Sequence, residues 1–199
     1  MQIIYILLIL FIGLIYWCLY LNFTGGHNIF EALTMKFSNV SKETYGVQES
    51  LPKPAGAADL IGRLDIFIDK FVAYLDARNP NDRRVKRLVN GLHDVKIEES
   101  PFEPDTSSYT LNKGDLIALC VRNKETKEFH DYQLLLFVVI HELAHVASVS
   151  RGHGREFIDT FKWLLGQAAE SGMYQPVDYS KNPVTYCGVR VTNNPLLSS

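Results

Sequence analysis

The sequence predicts an α+β domain with a small, mostly antiparallel sheet and one buried helix, behind a single apolar amino-terminal segment. Three observations carry this. The stretch after Ala58 has apolar residues at three- and four-residue spacing; a middle section has short β-prone runs between prolines and turn residues; and a later segment, Tyr132 to about Val149, has a body, LLLFVVI, that is apolar on every side. Such patterns correspond to a core-facing helix, to strands, and to a helix sunk in the centre of a domain.

Ile3 to Leu21 (IIYILLILFIGLIYWCLYL) runs 19 residues without a charge or a proline. As a helix it spans a hydrocarbon core of about 30 Å. Tyr16, Trp17 and Tyr20 stand at its downstream end, where amphipathic rings favour an interface. A cleaved signal peptide has a basic start, a shorter apolar stretch and small residues at the cut; here Met1 and Gln2 precede the run and Asn22-Phe23-Thr24 follows it. Residues 1–22 are therefore expected to form an uncleaved transmembrane signal-anchor, making this a single-pass membrane protein. The nearest downstream cations, Lys36 and Lys42, are too distant to orient it.

Residues 23–57 are expected to be a stalk or lead-in, with Gly25-Gly26 near its start, Pro52 and Pro54 near its end, and one short helix over Ile29–Phe37. The folded domain is expected over 58–199. Ala58–Ala77 sets Ile61, Leu64, Ile68, Phe71 and Leu75 on one helical face. Asn79-Pro80-Asn81-Asp82 ends that helix and caps the next, which reaches about Leu92 and carries Arg83, Arg84, Lys86 and Arg87. Strands are expected at Asp94–Glu98, Tyr109–Asn112 and Leu116–Arg122, and a connecting loop at Asn123–Phe129. Asp131 caps the apolar helix. Gly152 and Gly154 allow a sharp return into a helix over Glu156–Ser171 with Phe157, Phe161, Leu164 and Leu165 inward, and Thr185–Thr192 (TYCGVRVT) reads as a last strand.

The net charge of −2 excludes a broad electrostatic footprint for nucleic acid. Three cysteines are present: Cys18 in the apolar run, then Cys120 and Cys187 with no CxxC spacing. Cys120, in an apolar strand, reads most simply as a small buried hydrophobe, with pairing to Cys187 the lesser option.

The chemistry concentrates in His141-Glu142-Leu143-Ala144-His145 and His153-Gly154-Arg155-Glu156-Phe157. Two histidines four apart share one helix face and reach one ion. Glu142, next to the first, is placed to take a proton from a water at that ion. Catalytic zinc usually has three protein ligands and an open position. His153 is the expected third ligand; Glu156, Asp159 and Glu170 are the rivals. The spacing HExxHxxGxxH would need a histidine where Arg151 stands, which excludes that subclass.

HELAH, a short gap, then HGREF opening a core helix resembles the WLM and SprT-like (Spartan-type) metallopeptidases over about Tyr109–Leu165. The resemblance implies a zincin-like fold, Zn2+ bound by His141, His145 and His153, Glu142 as the catalytic base, and a protein or peptide substrate. The anchored arrangement with a terminal YCG stretch also resembles proteins of large DNA viruses, implying a viral or host membrane. Relatives of this kind act on proteins crosslinked to DNA, so Arg83, Arg84, Lys86 and Arg87 are the candidate phosphate contacts; such a run reads more simply as a solvated helix face. The carried-over chemistry predicts a membrane-anchored zinc metallopeptidase; the alternative is a membrane-tethered zinc scaffold without catalysis. Tyr174, Tyr179 and Tyr186 read as packing residues, one of which a peptidase of this type would instead use on an oxyanion. An edge strand, expected at Leu116–Arg122, would align the substrate.

Overall fold

The computed structural model describes residues 33–197. Its first two elements, β1 (Leu33–Phe37) and β2 (Thr44–Gln48), pair antiparallel with Leu33 opposite Gln48. The turn between them is closed by Ser38 N donating to Glu43 O at 2.8 Å. Tyr45 and Val47 of β2 are buried in the main core. This corrects the expected stalk: from Leu33 to Gln48 that stretch forms a strand pair of the sheet, from Pro54 it enters a helix, and the short helix expected there is a strand over Leu33–Phe37. The apolar run Ile3–Leu21 lies outside the described residues. Among the described residues, no helix is long and apolar enough to cross a membrane.

Helix α1 (Pro54–Arg78) starts on Pro54, where a missing N–H costs no helical bond, and buries Ile61, Leu64, Ile68, Phe71 and Leu75 along one face. The Asp82 carboxylate accepts from Arg84 N at 2.7 Å and caps α2 (Arg83–Gly91). This two-helix crossover returns the chain to β3 (Lys96–Glu99), parallel to β2; parallel neighbours need such a long connection. A hairpin follows, β4 (Tyr109–Leu111) and β5 (Leu116–Leu119), and β5 slots in beside β3. The sheet order is β1-β2-β3-β5-β4, with parallel inner pairs and antiparallel outer ones. The sheet is therefore mixed rather than mostly antiparallel, and β4 rather than Leu116–Arg122 is the edge beside the site.

The β4–β5 turn passes through positive φ at Asn112, Lys113 and Gly114. A Cβ on Gly114 would lie 2.0 Å from the carbonyl oxygen of Gly91, so only glycine lets this turn meet the end of α2.

Helix α3 (Tyr132–Ala147) is capped by Asp131, whose carboxylate accepts from Gln133 N and Leu134 N at 2.9 and 3.2 Å. Leu134 through Ile140 are all buried, as are Leu143, Ala144, Val146 and Ala147, because α3 lies against α1, α2, β4 and α4 (Arg155–Glu170). Fully burying one such aliphatic side chain is worth about 1.5–3 kcal/mol, so α3 is fixed by its surroundings. The expected last strand is a hairpin, β6 (Val184–Tyr186) and β7 (Val189–Val191), turning at Cys187-Gly188. Cys120 and Cys187 form a disulfide, where the sequence reading favoured a free, buried Cys120.

One ion pair is sunk beside the sheet. Arg122 Nε donates to Glu99 Oε1 at 2.6 Å with both side chains almost inaccessible, and Glu99 Oε2 also accepts from Gln48 N at 2.8 Å. Arg122 additionally donates to the Pro52 carbonyl and lies over the Phe129 ring. Arg122→Met leaves a carboxylate buried without its partner, so a loss of about 3–5 kcal/mol is expected in urea denaturation. A loss below about 1 kcal/mol, the range of an exposed pair, would mean the pair does not hold the sheet to the loop before α1.

Candidate metal centre

His141 and His145 sit one turn apart in the second half of α3. His153 arrives from the loop between α3 and α4. Its Nε2 lies 3.0 Å from His141 Nε2, and His145 Nε2 lies 3.2 Å from the same atom. All three candidate ligand atoms fall within 4.8 Å of one another. A tetrahedral zinc with nitrogens at about 2.0–2.1 Å separates those nitrogens by roughly 3.3 Å, so the donor set and its spacing fit that ion.

Burial pushes the His141 imidazole down to about 3, with His145 and His153 adding to the effect. Burial takes His145 down to about 4, with His153 and Lys113 adding. Both are therefore neutral at physiological pH and present lone pairs, as metal ligation requires. Phe157, on the first turn of α4, packs on all three rings at centroid distances of 4.4, 4.8 and 4.9 Å. It is an apolar floor that fixes their orientation.

The loop carrying His153 is held from two sides. Lys113 Nζ, projecting from the β4–β5 turn, donates to the carbonyls of His145, Ser148 and Ser150 at 2.8, 2.9 and 2.9 Å. A cation at the carbonyl end of α3 satisfies acceptors the helix leaves open and complements its dipole. Burial lowers the Lys113 pKa. From the other side, Glu156 accepts from Val149 N and Ser150 N at 2.7 and 2.8 Å, and Ser150 with these amides holds its carboxyl down to about 2. Gly152 turns the chain with φ 81 and open space around it. Of the rival ligands, Glu156 is spent on this clasp, Glu170 pairs with Arg78 at 2.9 Å, and Asp159 lies along the neighbouring cavity.

Glu142 is 3% exposed and points toward β4, where Thr110 Oγ1 donates to its Oε2 at 2.7 Å. Burial raises its carboxyl to about 7, against a smaller lowering by Thr110. Two cavities, of about 640 and 550 Å³, meet at Ser107, Ser108, His141 and Glu142. Together they form a cleft along the edge strand β4. The first is walled by Phe137, Phe157, Phe161, Tyr186 and Val189, the second by Asn112, Lys113 and the His153 loop.

Thr110, Lys113 and Ser108 carry no motif, and nothing in the sequence singles them out; they are found only through the hairpin that brings β4 over α3. Tyr174 and Tyr179 are packing residues as expected. Tyr186 is likewise buried in the core and in addition borders the cleft, its hydroxyl 2.5 Å from Ser108 Oγ. Among the expected phosphate contacts, Arg84 pairs with Asp82 at 2.6 Å and lies over the Trp163 ring, and Arg87 donates to the Ala147 carbonyl. Arg83 and Lys86 are exposed.

No family model matches the chain. It is 31% identical over 170 residues to uncharacterized protein R325 of Acanthamoeba polyphaga mimivirus, covering 80% of this chain and 82% of that one. Over 87 residues it is 36% identical to uncharacterized protein 136R of Invertebrate iridescent virus 6, covering 43% and 46% of the two chains. Over 88 residues it is 41% identical to uncharacterized protein 042R of Invertebrate iridescent virus 3, covering 44% and 52%. Among solved structures, Wss1 from Saccharomyces cerevisiae is similar at a TM-score of 0.46 and 21% identity, over 71% of this chain and 95% of that one.

Lys113→Met removes the clamp on the His153 loop and is expected to weaken zinc binding about 10- to 100-fold in a chelator competition, with the far-ultraviolet circular dichroism unchanged. Equal affinity in the two proteins would show that Lys113 does not position the ligand. Glu142 gives a second test, in the metal-free protein. Its raised pKa means the fold favours the protonated acid, so its contribution is full below about 4.5 and is lost as pH rises through about 7. Glu142→Gln is expected to stabilise the metal-free chain by up to about 3 kcal/mol above that range, with the gain vanishing toward its acidic end. A gain independent of pH would mean Glu142 is not a buried acid.

Proposed function

The chain belongs to the family of protein R325 of Acanthamoeba polyphaga mimivirus, and we propose that it is a zinc-dependent peptidase. One observation carries the reading: three imidazole nitrogens at 3.0 and 3.2 Å spacing beside a buried carboxylate, at the bottom of a cleft bordered by an edge strand. The likeness of HELAH and HGREF to the WLM and SprT-like metallopeptidases supports it.

His141, His145 and His153 would hold the ion, which would supply Lewis acidity for the scissile carbonyl and a nearby water. Glu142 takes that water's proton and returns it to the leaving amine. Thr110 occupies Oε2 of Glu142, which leaves Oε1 as the atom that accepts the proton. Its pKa near neutrality, before any cation lowers it, suits a group that must both take and give. The substrate is an extended peptide that adds to the outer edge of β4 and pairs with Tyr109–Leu111 through backbone hydrogen bonds. Antiparallel addition, the stronger pairing, runs the peptide from the Lys113 end of the cleft toward Ser107. The residues after the scissile bond then enter the cavity walled by Phe137, Phe157 and Phe161. The proposal keeps Ile3–Leu21 as a membrane anchor; retention of the full chain in the membrane pellet after alkaline extraction is expected, and its release would remove the anchor.

A scaffold role without catalysis would leave Glu142 without purpose, since burying a carboxylate costs stability. Glu142→Gln separates the two readings. It is expected to bind zinc as the native chain does while peptide cleavage falls at least about 100-fold. Undiminished cleavage would take Glu142 out of the reaction, and cleavage absent from the native zinc-bound chain would favour the scaffold.

A further inference from the structure

We propose that Cys120–Cys187 is an exchangeable disulfide that latches one wall of the cleft, so that its reduction by a dithiol switches the site down. The inference rests on the peptidase reading for its consequence and on the fold for its mechanism.

The wall in question is the β6–β7 hairpin. Among the described residues its two strands pair with each other and with no other strand. It nevertheless forms one side of the larger cavity, through Tyr186, Val189, Arg190 and Val191, opposite His141 and Glu142. Something other than a sheet must hold it there. Core packing of Tyr186 does so in part, and the disulfide adds a covalent join between the hairpin's turn and the segment that continues β5, 67 residues away.

Two adjacent contacts depend on that join. Tyr186, the residue before Cys187, places its hydroxyl 2.5 Å from Ser108 Oγ, and Ser108 Oγ also accepts from Cys120 N at 2.9 Å. The Tyr186 ring packs on His130, whose Nε2 lies 3.3 Å from Cys187 Sγ. The disulfide, the tyrosine and the serine thus form one unit that ends at the cleft, beside the strand bearing Thr110.

The backbone points the same way. Cys187 takes φ 45 and Gly188 φ 84, the geometry of a two-residue hairpin turn that asparagine or glycine normally fills at the first position. A cysteine there is a strained choice that the cross-link explains.

Reduction also has a route. Cys187, though almost fully buried, borders a separate cavity of about 480 Å³ with Phe102, Pro104, Lys124 and Gly188. A thiolate of a dithiol attacks Cys187 Sγ from there; the Cys120–Cys187 bond breaks, and Cys120 leaves as a thiolate and takes a proton. The second thiolate of the reductant then attacks its own bound sulfur. The reductant closes its disulfide, and Cys187 leaves and is protonated, with His130 beside it to pass the proton. Two electrons and two protons move from the dithiol to the pair. The metal ligands stand on α3 and the following loop and are untouched.

The test uses the zinc-loaded full-length protein, oxidised or treated with dithiothreitol without denaturant, alongside Cys120→Ser/Cys187→Ser. Alkylation mass spectrometry counts thiols, hydrogen exchange follows residues 184–191, zinc is assayed, and peptide cleavage is measured. Reduction is expected to expose Cys120 and Cys187, to lower hydrogen-exchange protection of the hairpin at least about tenfold, and to lower kcat/KM by a similar factor with zinc retained. The double variant should match the reduced protein and ignore the dithiol. Cysteines that stay oxidised, or a hairpin equally protected in both states, would overturn the latch. A hairpin that loosens in a chain whose oxidised form cleaves nothing would uphold the latch and overturn the peptidase reading instead.

Discussion

Three imidazoles bring their ring nitrogens together at spacings of 3.0 and 3.2 Å, and the rest of the site is arranged around holding them there. His141, the most deeply buried of the three, is stripped of water. Without a cation this arrangement costs free energy. The fold offsets the cost before the ion arrives. It sets two ligands on a helix buried on nearly every side, lays Phe157 against all three rings, and clasps the His153 loop between Lys113 and Glu156. Ligands on packed, hydrogen-bonded supports lose little freedom on binding, which is what a tight site needs.

The clasp depends on features distant in sequence. Gly114 can approach Gly91 only because neither has a side chain, and this fixes the β4–β5 turn against α2. The same turn projects Lys113 to the end of α3 and lays Thr110 over Glu142. One hairpin therefore holds the His153 loop, bonds to Glu142 and leaves an open strand edge beside both.

Much of this was readable from local pattern. The HELAH spacing puts His141 and His145 on one helix face with Glu142 beside them, the apolar body of α3 gives its burial, and Asp82 and Asp131 stand where caps are needed. What escaped reading depends on pairing between distant segments. β1 carries Met35 and Phe37 outward on an edge strand, so its composition shows no inward alternation, and its role emerges only from pairing with β2. The position of β5 between β3 and β4 follows from the α1–α2 crossover and the hairpin, not from the residues of β5. The disulfide joins cysteines 67 residues apart, a separation at which spacing says nothing about proximity. Tyr186 resembles its neighbours Tyr174 and Tyr179 in sequence and differs only in where the hairpin takes it.

The most direct test of the centre is X-ray absorption at the zinc edge on the full-length protein loaded with one equivalent of zinc. The expected spectrum shows three imidazole nitrogens and one further light atom at about 2.0–2.1 Å, with no sulfur. A shell containing sulfur at about 2.3 Å would move the ion to Cys120, His130 and Cys187 with the disulfide reduced to thiolates, and failure to bind zinc would contradict the metal centre itself.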